Sequence, residues 1–351
     1  MLSTTSWRQP YPSVGQFAMT KSEEVVAAGP NGLFHFRRIR GLAATPWSEP
    51  HPFPSVGVTL NELTVSGLAL YSGEDSQRRP RLHVYCVSGG LLYNFYLADK
   101  NNSSFILDIP PHLGRLRVTG NPTVVGTRSG QSSSDRWSLI VPCQSGGLLH
   151  MTGTNSISSY GSPASTNWEA VDHLATDLGI ISAVSVTVVY DLVKIMPGKL
   201  VAVCISSGQL NVVEGSFCQY GSRRKWDGKT SARILHPGEV TGNPVLITDR
   251  HNGETQLDLL VPSAEGGIFH FVCAQSAPND WHMIGRLAFP QNIPPPSCLS
   301  FYSLPVTYKK RELYALVQIC GLLYHIKTTN DKFPWHNARL NPIVYPGPFF
   351  E

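Results

Sequence analysis

Six side chains stand at one place in a repeated pattern: His35, Tyr93, His150, Asn211, His270 and Tyr324 each follow a glycine by three residues. Imidazoles titrate near neutral pH and serve as acids or bases, and phenols donate hydrogen bonds to an oxygen that gathers charge. Equal offsets along strands mean equal directions, so the six point the same way around a closed arrangement of repeats. They lie either at contacts between repeats, bonded to neighbouring backbone, or in clefts that meet a ligand. In the second case His150, His270, Tyr93 and Tyr324 are the candidate catalytic acids or hydrogen-bond donors, with His35, Asn211 and Phe271 as candidate substrate contacts. Two more candidates come from a duplicated tetrapeptide, Thr119-Gly120-Asn121-Pro122 and Thr241-Gly242-Asn243-Pro244. Leading into an inner strand, it brings Asn121 and Asn243 to the mouth of a central channel; the alternative is a bond to local backbone in a turn.

The elements that must position these groups follow from the glycines. Gly32, Gly90, Gly147, Gly208, Gly267 and Gly321 recur at intervals of 54 to 61 residues, a fixed beat of the kind that marks a repeat architecture. Each sits in a turn between two apolar runs, as where 257–261 leads through 263–267 into 268–273. A tight hairpin needs positive φ there, which glycine supplies without strain. Trp47, Trp168, Trp226, Trp281 and Trp335 follow their glycines by 14 to 21 residues, Phe105 takes that place in the second unit, and each opens an outermost strand. An inner strand precedes each hairpin, as at 63–70, 122–126 and 244–248. Four antiparallel strands in each of six units predict an all-β fold, a six-bladed β-propeller, since no such unit buries both its faces alone.

The expected organisation is one domain over 1–351, with blades at roughly 14–55, 62–110, 119–174, 180–235, 241–290 and 297–341. The arm at 1–13 and the stretch 343–345 meet near the closing point of the ring, and the pattern does not say which terminus supplies a closing strand. A pair of β-sandwiches is the alternative, against which the even period argues. Polar stretches at 72–80 and 128–135 read as exposed loops, the Ser, Gly and Asn-rich link 152–167 as slack or a lid, 180–190 as a buried strand, and 290–297 as a stiff connector.

A net charge of +4 is small for 351 residues, and the basic clusters at 37–38, 78–79, 223–225 and 309–311 are scattered. Nucleic-acid binding would gather them on one face. Seven cysteines are an odd number, and Cys86, Cys204 and Cys320 read as small buried hydrophobes at the ends of hairpin strands. A reducing, cytoplasmic setting is expected, without a leader at 1–7, a membrane span or use of the sequons at Asn101 and Asn102. His-Glu-x-x-His, Cys-x-x-Cys, Gly-x-Ser-x-Gly and phosphate-cradling glycine loops are missing. No metal, nucleotide, flavin or other cofactor is therefore expected; the expected partners are apolar small molecules, with oligomeric state open.

A ring of this size, with its turn glycine, short apolar-polar strand and outer Trp, resembles the fungal fucose-binding lectins. In that family the strand reads like Gly-x-Ile-Arg-Glu, and its Arg and Glu clasp the sugar. Here the matching Arg positions hold His35, Tyr93, His150, Asn211, His270 and Tyr324, and the matching Glu positions hold Phe36, Asn94, Met151, Val212, Phe271 and His325. No unit keeps the pair, so a sugar would lose its charge-assisted partners, and the apolar replacements suit a greasier ligand. Such a propeller is similar to the fungal hetero-Diels-Alderases of tropolone sesquiterpenoid pathways in secondary metabolism. That resemblance implies a cofactor-free pericyclase joining a tropolone o-quinone methide to a humulene-type macrocycle; a carbohydrate-binding lectin and a protein-interaction propeller are the alternatives.

Overall fold

The computed structural model describes residues 8–39, 47–53, 58, 60–74, 80–99, 102–108, 117–126, 136–155, 166–191, 196–220, 223–251, 254–275, 277, 279–289, 293–307, 310–328 and 340–346. β1 (Arg8–Pro10) precedes the ring. Blade 1 holds β2 (Phe17–Met19), β3 (Glu24–Gly29), β4 (Gly32–Arg37) and β5 (His51–Pro52). Blade 2 holds β6 (Val65–Glu74), β7 (Pro80–Ser88), β8 (Leu91–Asp99) and β9 (Asn102–Asp108). Blade 3 holds β10 (Thr123–Gly126), β11 (Arg136–Pro142), β12 (Leu148–Asn155) and β13 (Thr166–Leu174). In blade 4, β14 (Ile181–Asp191), β15 (Met196–Ser206) and β16 (Gln209–Tyr220) are followed by two short strands, β17 (Arg223–Trp226) and β18 (Lys229–Ile234), that both pair with β16. Blade 5 holds β19 (Val245–His251), β20 (Glu254–Pro262), β21 (Ile268–Ala274) and β22 (His282–Leu287). Blade 6 holds β23 (Cys298–Thr307), β24 (Lys310–Ile319), β25 (Leu322–Thr328) and β26 (Asn341–Pro342), and β27 (Val344–Pro346) follows it. The protein is a six-bladed β-propeller of antiparallel blades, four strands to each except in blade 4, where β17 and β18 share the outer position beside β16.

Strand register aligns the blades. On the inner strands Ala18, Leu68, Thr123, Val184, Val245 and Leu299 lie opposite Val26, Cys86, Ile140, Cys204, Leu260 and Val317. Those six lie opposite His35, Tyr93, His150, Asn211, His270 and Tyr324 on the third strands. The regular series therefore occupies one rung of the third strand. All six turn glycines have positive φ, from 70° to 132°, which explains why glycine keeps the beat.

Each blade buries both faces. Six apolar clusters of buried side chains sit at the six blade-to-blade junctions, each drawn from two neighbouring blades. A strand with a neighbour on either side reads as a continuous apolar run, not an alternating one, as in 200–205 of β15. The last cluster packs Phe17, Phe36 and Trp47 against Cys298, Leu316 and Leu323 and so joins blade 6 to blade 1. At this seam blades 6 and 1 each keep their own four consecutive strands. The termini instead form a separate two-stranded sheet, β1 with β27, pairing Arg8 with Pro346 and Pro10 with Val344. Val14 N–H donates to Gly321 O at 2.8 Å, and Gln318 Nε2 donates to Val14 O at 2.8 Å.

Some expectations shift. Cys86 and Cys204 are buried at one rung, but the blade 6 residue at that rung is Val317; Cys320 is exposed. It is the first residue of a two-residue turn, with φ 49° ahead of Gly321 at 79°, and such a turn faces solvent. Residues 72–74 extend β6, and 152–155 extend β12. Residues 75–79, 127–135 and 156–165 and Trp335 lie outside the described residues.

Candidate functional site: the central channel

His150 and His270 hold blades together. Both are fully buried. His270 Nε2 donates to Asp258 Oδ1 at 2.9 Å, and Gln256 Nε2 donates to the same oxygen at 3.2 Å. The His270 ring meets Phe301 of blade 6 edge-on. His150 Nε2 shares a 3.0 Å hydrogen bond with Ser138 Oγ, and its ring meets Trp226 of blade 4 edge-on. Ser138 and Asp258 occupy equivalent places, two residues before Ile140 and Leu260. Burial pushes the His150 pKa down to about 4, which keeps the imidazole neutral at physiological pH. Half-buried Tyr93 packs on the junction of blades 1 and 2, and half-buried Tyr324 on that of blades 5 and 6. Asn211 Nδ2 donates to Gln209 O at 3.3 Å, His35 is half-buried, and Phe271 is core. The register separates these seven residues among all six blades, and none of them lines the main cavity.

That cavity is the central channel, about 890 Å³, walled by the inner strands of all six blades. These strands touch in order around the ring, β23 returning to β2. Asn121 and Asn243 do reach it. The innermost strand of a blade presents an unpaired backbone edge, which needs partners. Side chains of neighbouring blades supply them. Asn121 Oδ1 accepts from Leu68 N–H at 2.7 Å, Thr123 Oγ1 from Val186 N–H at 3.3 Å, and Ser185 Oγ from Leu246 N–H at 2.9 Å, while Thr248 Oγ1 donates to Val188 O at 3.1 Å. Asn243 Nδ2 donates to Gln16 Oε1 at 2.9 Å and to Cys298 Sγ at 3.5 Å. The glycine before each Asn fits a close approach: Gly120 and Gly242 have φ of 63° and 61°, and a Cβ would fall 2.0 Å from Ser182 O and 2.7 Å from Ser297 O. Asn121→Ala leaves the Leu68 N–H without its acceptor and is expected to cost about 1–2 kcal/mol, read as a lower urea midpoint; an unchanged midpoint would show the cap to be idle.

Apart from these caps about half of the wall is aliphatic, with Ala18, Leu70, Val125, Val186 and Ile247 along it, and most of the rest carries hydroxyls, among them Thr20, Tyr71 and Ser300. Among the described residues no His, Asp, Glu or Cys lines the channel, and Lys21 is its one charged side chain. No group of three or more His, Cys, Asp and Glu side chains converges as a metal site among the described residues.

No protein-family model and no curated protein matches the chain. Solved structures do match it. A point mutant of the Aleuria aurantia lectin in complex with α-methyl-L-fucoside aligns over 97% of this chain and 99% of its own, with TM-score 0.60 at 14% identity. AofleA from Arthrobotrys oligospora aligns over 97% and 93%, with TM-score 0.59 at 12% identity. The SapL1 lectin in complex with α-methyl fucoside aligns over 96% and 98%, with TM-score 0.51 at 12% identity. The fold is that of the six-bladed lectin propellers. In this lectin-like propeller the rung next to the histidine and tyrosine series holds Phe36, Asn94, Met151, Val212 and Phe271, all at 0% exposure. Those five positions are packed between blades. A second cavity of about 510 Å³ lies between blades 2 and 3, bordered by Arg117, Gln144 and the turn at Gly89 and Gly90.

Beyond the two asparagines, no signal in the sequence pointed to the channel residues. Six separate runs form its wall, and no local spacing shows which of them converge.

Proposed function

We propose that the protein is a cofactor-free pericyclase, a hetero-Diels-Alderase whose central channel holds a tropolone o-quinone methide against a humulene-type sesquiterpene. The observation that carries the reading is a channel of about 890 Å³ whose wall sets Ala, Leu, Val and Ile side chains among scattered hydroxyls and one lysine, with no described His, Asp, Glu or Cys along it. Its volume lies in the range that buries a drug-sized ligand. Such a wall supplies what a cycloaddition uses: orientation of two apolar partners, exclusion of water and hydrogen bonds to the oxygenated diene. Thr20, Ser22 and Tyr71 are wall hydroxyls suited to the last task. Under this reading the chain works in the cytoplasm on apolar small molecules, away from nucleic acid and membrane.

The test combines humulene and a hydroxymethyl tropolone, which gives the o-quinone methide by loss of one water, with the protein and follows the cycloadduct by mass spectrometry. Ala18→Phe and Ser300→Phe, two half-buried wall positions, are expected to cut the rate at least about tenfold by displacing one partner while thermal unfolding stays cooperative. An adduct rate equal to background in wild type sinks the proposal. A lectin reading is favoured by the fold and by the open cleft at Arg117; fucose binding abolished by Arg117→Ala, with the channel variants unaffected, would establish it instead.

A further inference from the structure

The wall of the channel is uneven at one end. Counting outward from the shared rung at Ala18, Leu68, Thr123, Val184, Val245 and Leu299, β10 runs three more residues, β6 and β19 six, β14 seven and β23 eight. β2 runs one, to Met19, and the chain turns back at 20–23. At about 3.3 Å per residue, blade 1 stops roughly 16 Å of strand short of β6 and β19. Over blade 1 the rim therefore has a notch.

The turn that forms its floor is tightly held. Thr20 N–H donates to Glu24 O at 2.9 Å, Glu23 N–H to Thr20 O at 3.0 Å, and Glu24 N–H to Thr20 Oγ1 at 3.2 Å, with Glu23 at φ 62°. Lys21 lies in this turn, exposed and lining the channel. The neighbouring acid does not neutralise it, because the Glu23 carboxylate pairs with the Arg38 guanidinium at 2.6 Å. A channel whose described wall carries one charge, a cation beside the opening over blade 1, asks for a complementary anion.

We propose that ligands enter over blade 1 and that Lys21 anchors the acidic oxygen of an otherwise apolar ligand, a carboxylate or an acidic enol. This rests on the channel being the ligand site. An ammonium donating to an anionic oxygen at the mouth fixes which end of the ligand stays outside, so the apolar body lies inward between Leu70, Val125 and Ile247. In a two-partner reaction the acidic partner then sits beside blade 1 and the neutral hydrocarbon beyond it.

The experiment is calorimetric titration with tropolone, its neutral O-methyl ether and humulene, on wild type, Lys21→Met, Lys21→Arg and Ala18→Phe. Expected are one tropolone site per chain, at least about tenfold preference for tropolone over the ether, and loss of that preference in Lys21→Met with ether and humulene binding unchanged. Lys21→Arg keeps most of the preference, and Ala18→Phe weakens all three ligands. Equal binding of acid and ether in wild type, or an undiminished preference in Lys21→Met, overturns the anchor. If Ala18→Phe still weakens all three, the channel reading survives that result. Failure of wild type to bind any of the three, or indifference to Ala18→Phe, overturns the channel reading and the anchor with it.

Discussion

Alanine at position 258 lowers the stability of the propeller by about 3 kcal/mol or more. Asp258 is fully buried, and its Oδ1 accepts from His270 Nε2 and from Gln256 Nε2. Removing the carboxylate strands the N–H of a fully buried imidazole in an apolar junction, and the loss includes the desolvation of that group as well as the bond itself. Asp258→Asn keeps an acceptor oxygen in place and is expected to cost about 1 kcal/mol. Urea unfolding followed by tryptophan fluorescence compares the three proteins. Coincident curves for wild type and Asp258→Ala would mean that the pair contributes nothing to the junction. At the equivalent place in blade 3 the His150 partner is the neutral Ser138 hydroxyl, so Ser138→Ala costs less than Asp258→Ala.

Acid weakens the same ring through His150. Burial holds its folded-state pKa at about 4, below the ordinary value near 6.5. Between these values the unfolded chain binds a proton that the folded chain refuses, so stability rises with pH inside the window. The full stability is present above about pH 6.5, falls as pH drops and loses nothing further to this group below about 4. At 1.36 kcal/mol per unit the change is about 3 kcal/mol. His325, also pushed down to about 4, first by burial and then by the Arg38 charge, acts in the same window. Urea midpoints between pH 4 and 7 measure the slope, and His150→Gln, which keeps a side-chain amide near Ser138, flattens it. An identical slope in His150→Gln and wild type would rule His150 out as a source.

The architecture was legible because its signal is local and repeated. A turn glycine with positive φ and an apolar run that continues without alternation are properties of single hairpins, and six of them at one period leave few arrangements. The equivalence of the six third-strand residues was legible for the same reason, since register preserves a fixed offset from a turn. Their surroundings were not. Whether His270 meets solvent or Phe301 depends on how blade 5 leans on blade 6, 31 residues further along the chain, and period alone does not encode that packing. Lys21 carried no signal either: its significance comes from β2 being shorter than its counterparts, which appears only when the inner strands are set side by side. Cys320 shows the opposite error, a spacing that looks equivalent in sequence yet falls three residues from Val317, the residue at the Cys86 and Cys204 rung.

The seam between blades 6 and 1 has a bearing on ancestry. In a propeller that completes its last blade with a strand from the other terminus, duplicating or deleting one sequence unit at the seam orphans a strand. Here each blade is contiguous in sequence, and β1 with β27 lies outside all six. A gene of this form gains or loses a blade by one in-frame event of some 54 to 61 codons. The shared tetrapeptide and the matching buried histidine pairs of blades 3 and 5 fit that unit of change.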